Sequence, residues 1–366
     1  MDIMANVSRK HFIDNVRSVT TVTVIVYHVV YLFNSVGVLK NIEGTGIPLF
    51  DGFCYAVYPW FMAVMFMLAG ISTRYALQKR TGKQFLKERR QKLLVPLFGG
   101  MLLLGWINAW VTLQYFPISP EHYGFGVMAY FVFLSIGPLW FMLELFMISI
   151  VLLLIRKIDK NDRLGDLAGR ANIFVLLLLV VPFWGSSCLL NTPVLIKFRN
   201  GIYLFTFLTG YYLFSKEKII AILVKFRLPL LAAGVILGIV EICYFYGQDY
   251  SSAHYLEHPL TNLYAWIMML AILGCSKKYF DGTNKFMKYL NSRSFLWYVS
   301  HFPIMLFTAY ILMSKFKFPM ICNYMLLLLF SFGTTILFCE ITRLVPILRY
   351  LLFGIRGRPE TPQGRA

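Results

Sequence analysis

Charge is what this sequence has least of. Asp, Glu, Lys and Arg make up 14% of the 366 residues, while 58% are hydrophobic and 17% aromatic, and the mean hydropathy is +0.65. That composition excludes an ordinary soluble enzyme and reads as a polytopic membrane protein. Acids are scarcer still, 17 against 35 Lys and Arg, for a net charge of +18. The excess does not call for nucleic acid, because the basic residues stand in short blocks between apolar runs, where the positive-inside rule puts them. Cysteine is also sparse. Cys54, Cys188, Cys243, Cys275, Cys322 and Cys339 show no CxxC and no ligand spacing, so they read as single thiols and no metal is expected. No repeat, heptad run or low-complexity segment appears. Residues 1–353 read as one integral membrane domain, and GIRGRPETPQGRA at 354–366 as a flexible basic cytoplasmic tail.

The apolar runs are long enough to cross a hydrocarbon layer of about 30 Å at ten places. They cover 18–38, 54–73, 94–114, 138–155, 171–190, 200–215, 229–247, 259–275, 294–313 and 319–342. A secretory signal is a poorer reading of the first run, which is long and lacks a small-residue cleavage site. The stretch 122–137 is ambiguous, either re-entrant or the tilted start of the fourth span. With the N-terminus inside, the inner segments hold 30 Lys and Arg and the outer ones 5. The fold class expected is therefore all-α, a polytopic helix bundle of about ten transmembrane helices with both termini cytoplasmic.

Four stretches carry candidate chemistry. In IDNVRSVTTVTVIVYHVVYLF, Arg17 stands at the inner edge of the first span and His28 follows eleven positions later, about 16 Å deeper at 1.5 Å per residue. A histidine bridging helices beside a topological arginine is one reading. The other is a proton acceptor suited to taking a hydrogen from a hydroxyl, because imidazole titrates near neutrality. Next comes the densest charge in the chain: Arg74, Lys79, Arg80, Lys83, Lys87, Arg89, Arg90 and Lys92, with the single acid Glu88. Topology and anionic lipid explain it, at about 1 kcal/mol per basic residue. A phosphorylated cytoplasmic donor explains it too, since guanidinium forks fit phosphate oxygens. In GPLWFMLELFMIS, Trp140 and Phe141 head the fourth span, and Glu144, costly in a membrane, should face the interior as the partner of a basic group such as His28. Glu241 and Glu340 read as structural, Glu340 with Arg343 three residues on.

The fourth stretch, SFLWYVSHFPIMLF, sets Ser300 beside His301 ahead of Pro303. Neighbouring helical positions diverge, so the two form no nucleophile–base dyad, and His301 reads as lining a cavity or bridging helices. In the outer loop GQDYSSAHYLEHP, His254 and His258 have i, i+4 spacing that suits a metal if helical, but an exposed polar loop, or a contact for an external acceptor, fits better.

Together these segments resemble acyltransferase family 3 of integral membrane proteins. The opening Ile13-Asp14-x-x-Arg17, then ten residues, then His28, is similar to that family's N-terminal signature. Phe66 to Gly70 followed by ERRQKLLVP, the LWF at 139–141 and the YVSHFP of the ninth span follow in the family's order. Lys92 departs from a more usual arginine, and the MLAG at 67–70 from a serine before the glycine. The resemblance implies transfer of an acetyl or succinyl group from acyl-CoA (acetyl-CoA or succinyl-CoA) to a hydroxyl of a sugar or cell-surface glycan, in a cell membrane of bacterial inner-membrane type. It implies His28 as the catalytic histidine with Arg17 and Asp14 as partners, and the arginines of the 89–92 segment, Arg89 and Arg90, for the CoA phosphates; Arg74 and Lys92 of the same basic block are expected to bind there with them. Glu144 is expected to hold the His28 tautomer, and Trp140, Phe141, Ser300 and His301 to line the substrate cavity. Membrane lipids and a sugar acceptor are the expected partners; nucleic acid is not. A transporter or exporter using His28 as a proton or substrate site is the rival reading. It predicts internal pseudo-symmetry, which the sequence does not show.

Overall fold

The structure is a computed structural model and describes residues 10–38, 42, 46–117, 125–191 and 199–356. Among these residues all regular structure is helical. Lipid supplies no hydrogen-bond partners, so a spanning chain must satisfy its backbone within each helix. We label the main helices α1 (His11–Leu32), α2 (Pro48–Gln78), α3 (Gly82–Tyr115), α4 (Met128–Ile158), α5 (Ile173–Cys188), α6 (Asn200–Thr209), α7 (Arg227–Phe245), α8 (Pro259–Tyr279), α9 (Lys285–Lys315), α10 (Met320–Thr342) and α11 (Pro346–Phe353).

Helices stand at all ten expected places. Among the described residues, seven of them, α2 to α4 and α7 to α10, are both long and apolar enough to cross a membrane. The remaining three fall short for separate reasons. Threonines and charges dilute α1, α5 is short, and α6 has only 10 residues before it runs on as a π-helical turn over Gly210–Phe214. The ambiguous 122–137 stretch resolves, from Phe125 on, as helix. A 3₁₀ turn at Gly137–Leu139 links it to the helix over Trp140–Ile158, so the long apolar run that includes α4 is a broken helix. Gly137 sits at φ +46°, and a Cβ there would meet Asn108 Nδ2 at 2.8 Å.

Inside a bilayer the lipid is as apolar as leucine, so close backbone approach and interhelical hydrogen bonds do the packing. Gly70 on α2 and Gly210 after α6 face each other's helices: a Cβ on the first would lie 2.1 Å from Phe207 O, and on the second 2.2 Å from Met67 O. Polar side chains lock α1 against α9. Asn15 donates to the carbonyls of Phe280 and Gly282 (2.6 and 2.8 Å) and accepts from Asn291 (2.7 Å). Ser18 donates to Asn291 Oδ1 at 2.7 Å and meets Ser294 at 3.1 Å. The two helices run parallel from this clamp, and their register decides what faces what deeper in the bundle.

Candidate active site

On α1 the residues Asp14, Arg17, Thr21 and His28 recur at helical spacing along one stripe. Its lower end is held in place. Asp14 accepts from Arg17 Nη1 at 3.1 Å, and Arg17 Nη2 donates to Ser72 Oγ at 2.8 Å. Ser72 in turn donates back to Leu68 O. On the adjacent position of α2, Thr73 Oγ1 accepts from Arg89 Nη2 at 2.7 Å. Two guanidiniums are thus aimed by two neighbouring hydroxyls.

Between them opens a cavity of about 560 Å³. Its mouth carries Arg17, Arg80, Arg89 and Lys92 against one acid, Glu88, which is itself bound to Arg80 at 2.8 Å. Its inner end is apolar and aromatic, with Thr21, Met65, Phe141 and Tyr298. A polyanion with a long, mostly apolar arm matches that change from mouth to interior. Tyr298 donates to Pro138 O, tying α9 to the turn before Trp140, and its ring lies 5.9 Å from that of His301.

His301 reaches across to His28, with 3.2 Å between His301 Nε2 and His28 Nδ1. Their rings are tilted with centroids 5.2 Å apart. The protons follow from the partners. His301 Nδ1 contacts the carbonyls of Trp297 and Tyr298 at 3.1 and 2.8 Å. Carbonyls only accept, so in the neutral ring Nδ1 carries the hydrogen and Nε2 the lone pair. His28 Nδ1 must then donate, which makes His28 Nε2 the basic nitrogen. His301 is fully buried and His28 partly so, as suits a fixed orienting ring behind a working one.

Most of the other expected site residues lie elsewhere. Arg74 does not reach the cavity: both its Nη atoms bind the Asp162 carboxylate, one at 2.8 Å, in a separate pocket with Arg156 and Lys160. Ser300 turns the other way from His301, to Cys339 on α10 at 3.2 Å. Trp140 stacks on Tyr203 (5.3 Å) rather than on the cavity, whereas Phe141 lines it. Arg90 is not among the lining residues. Glu144 is buried on α4, but among the described residues no hydrogen bond joins it to His28, whose partner there is His301. His254 and His258 lie 5.8 Å apart, centroid to centroid, and no third metal ligand stands with them among the described residues. Thr21, Ser72, Thr73 and Tyr298 went unnoticed in the sequence. For Thr21 the signal was its place on the Asp14–Arg17–His28 stripe; for the others, which depend on tertiary approach, there was none.

One comparison decides the family. The family model described as an acyltransferase domain, that of acyltransferase family 3, matches residues 10–341. The chain belongs to this family. The match spans both halves of the site, from the start of α1 through the His301 segment to the end of α10. No curated protein and no solved structure matches. The acyltransferase family places this chain among membrane proteins, in agreement with its apolar helices.

Proposed function

We propose that this acyltransferase moves an acyl group from acyl-CoA to a hydroxyl of a sugar or glycan, with His28 as general base. The observation that carries the reading is the hydrogen-bonded His28–His301 pair, which does not itself line the basic-mouthed cavity but meets it through Tyr298, a lining residue whose ring lies 5.9 Å from that of His301. Arg17, Arg89 and Lys92 take the phosphates of CoA, and the pantetheine arm follows the cavity past Phe141 to Thr21 and Tyr298. The thioester then lies beside His28. His28 Nε2 removes the proton as the acceptor oxygen attacks the thioester carbonyl. The tetrahedral intermediate expels the CoA thiolate, which takes that proton from the imidazolium, leaving an ester and free CoA thiol.

His301 holds His28 in the tautomer this needs, the role first expected of Glu144. The excess of basic residues at the cavity end argues for a cytoplasmic mouth with both termini inside, and so for a cell membrane of inner-membrane type. Acetyl and succinyl donors both fit the cavity chemistry.

The test is thiol release from acetyl-CoA and succinyl-CoA by purified protein with a pool of small sugars, wild type against His28→Ala. General-base catalysis is worth about 10²–10⁴-fold, so the variant should lose at least about 10²-fold at an unchanged melting temperature. Equal thiol release by wild type and variant would sink the assignment of His28, and no CoA binding by folded wild type would sink the donor.

A further inference from the structure

Arg199 sits at the far end of the bundle from the basic cavity. Its Nη1 donates to Pro59 O at 3.1 Å, at the break in α2 before Phe61. Ser72 at the cavity lies eleven residues further along α2, about 16 Å at 1.5 Å per residue. The residue is 2% exposed, yet among the described residues Nε and Nη2 have no hydrogen-bond partner. Leaving donors of a buried, permanently charged group unpaired is among the costlier things a fold can do. The chain also takes on strain to hold it. Arg199 adopts φ +78°, ψ 20°, a left-handed conformation for a residue with a side chain. Its N–H is fixed by Asn191 Oδ1 at 3.1 Å, and Asn191 is fixed by Glu257 Oε1 at 2.5 Å.

Among the described residues no salt bridge takes up the charge. Glu241 is within electrostatic reach, but its Oε1 accepts from Thr261 at 2.7 Å, and among the described residues no salt bridge joins it to Arg199. Tyr58, Tyr203 and Tyr255 lie, like Glu241, within electrostatic reach of the guanidinium. Tyr58 stacks on Tyr27 at 5.8 Å, and Tyr27 meets the His28 ring edge-on at 5.3 Å. Tyr58 is the chain neighbour of Pro59, whose carbonyl binds Arg199, so the guanidinium is held one residue from the rings that lead to the histidine. Arg199 also caps α6, so the positive end of that helix adds to the same field.

We propose that Arg199 is the anchor for a carboxylate-sized anionic group on a substrate that reaches His28, a specificity site separate from the phosphate-binding mouth. This rests on the acyltransferase reading above. Two sources carry that chemistry: an acidic sugar acceptor, or an acyl group with a distal carboxylate.

The test uses matched pairs on the detergent-solubilised full chain, read as thermal-shift affinity. Methyl glucuronide against methyl glucoside probes the acceptor, and succinyl-CoA against acetyl-CoA the acyl group. Wild type should bind the carboxylate member of one pair at least about tenfold more tightly, and Arg199→Gln should abolish that preference. The pair that responds names the source. No preference in either pair, or one that survives Arg199→Gln, overturns the proposal. If Arg199→Gln does not fold, Arg199→Lys carries the comparison: a reduced preference at an unchanged melting temperature supports the site, an unchanged one rejects it. Affinity for free CoA, which has no acyl group, tests the donor mouth alone, so its absence would indict the acyltransferase reading and leave the sugar arm to judge Arg199.

Discussion

His301 is gripped through the nitrogen that faces away from His28. Two backbone carbonyls take its Nδ1–H, so the ring can neither flip nor change tautomer without losing that bond, and a change of tautomer would also set a ring lone pair against the carbonyl oxygens. Removing it should therefore harm His28 through orientation. We expect His301→Leu to lower acyl transfer by about 10²-fold or more, short of the ~10⁴-fold loss that a wrong tautomer causes in a catalytic triad. His301→Gln, whose amide oxygen can still accept from His28 Nδ1, should recover part of it, with little change in donor KM in either variant. A larger effect on donor KM than on kcat would place His301 in binding instead. Much of this site was legible one residue at a time. The depth of His28 below Arg17 follows from helical rise, and the divergence of Ser300 from His301 follows from helical angle. The pairing of His28 with His301 was not legible, because nothing in the sequence says that α1 and α9 run parallel from a clamp at Asn15, Ser18, Asn291 and Ser294. Glu144 looked like the better partner because its burial cost was visible and its neighbours were not.

Two contacts between elements can be tested directly. The approach of α2 to α6 depends on Gly70, where a Cβ would fall 2.1 Å from a backbone oxygen. Backbone cannot move aside as a flexible side-chain tip can. Gly70→Val should cost about 1–3 kcal/mol through overpacking and lower the melting temperature, whereas Gly52→Ala, with nothing within 4 Å, should lose nothing. Equal stability of the two variants would mean that the helices do not touch at Gly70. The second contact joins the end of α2 to the 159–162 loop. Hydrogen bonds from Arg74 hold the Asp162 carboxyl below its ordinary value of 3.8. The folded form therefore binds protons less readily than the unfolded one, and the stabilisation is whole above that ordinary value and fades as pH falls through the lowered one. Screening at a partly exposed carboxylate keeps it to about 1 kcal/mol. Asp162→Asn should melt below wild type near neutral pH, and the gap should close as pH is brought down below the ordinary value of 3.8. A gap that stays constant with pH would show that the charge of Asp162 plays no part. These element-scale features were half legible: the basic block at 74–92 was evident, but not that Arg74 is consumed by a loop acid 88 residues on while Arg89 turns to the cavity.

For the whole molecule the question is which way it faces. The described contacts sort cleanly into two ends. At one, Lys10 binds Glu217 at 3.0 Å, Phe12 N donates to Asp281 at 3.1 Å, Arg74 holds Asp162, and Gln91 donates to Gly354 O at 2.9 Å. The start of α1, the basic loops and the segment after α11 therefore meet at one end, around the cavity mouth. At the other, Tyr55 donates to Gln248 O at 2.5 Å, Trp184 to Glu257 O at 2.8 Å, and Arg199 to Pro59 O. The two ends also differ in charge, with the basic excess on the first, and lysine and arginine translocate poorly. The proposed CoA-phosphate mouth and the proposed cytoplasmic orientation thus rest on one asymmetry, and an error in orientation would move the donor site to the wrong side of the membrane. Single cysteines in a background without the native six decide it. An impermeant maleimide should label Ser251→Cys in intact cells, and Lys160→Cys only after the membrane is opened. The reverse pattern would put Arg17, Arg89 and Lys92 outside, where acyl-CoA is absent, and with them the whole reading of the cavity would fall.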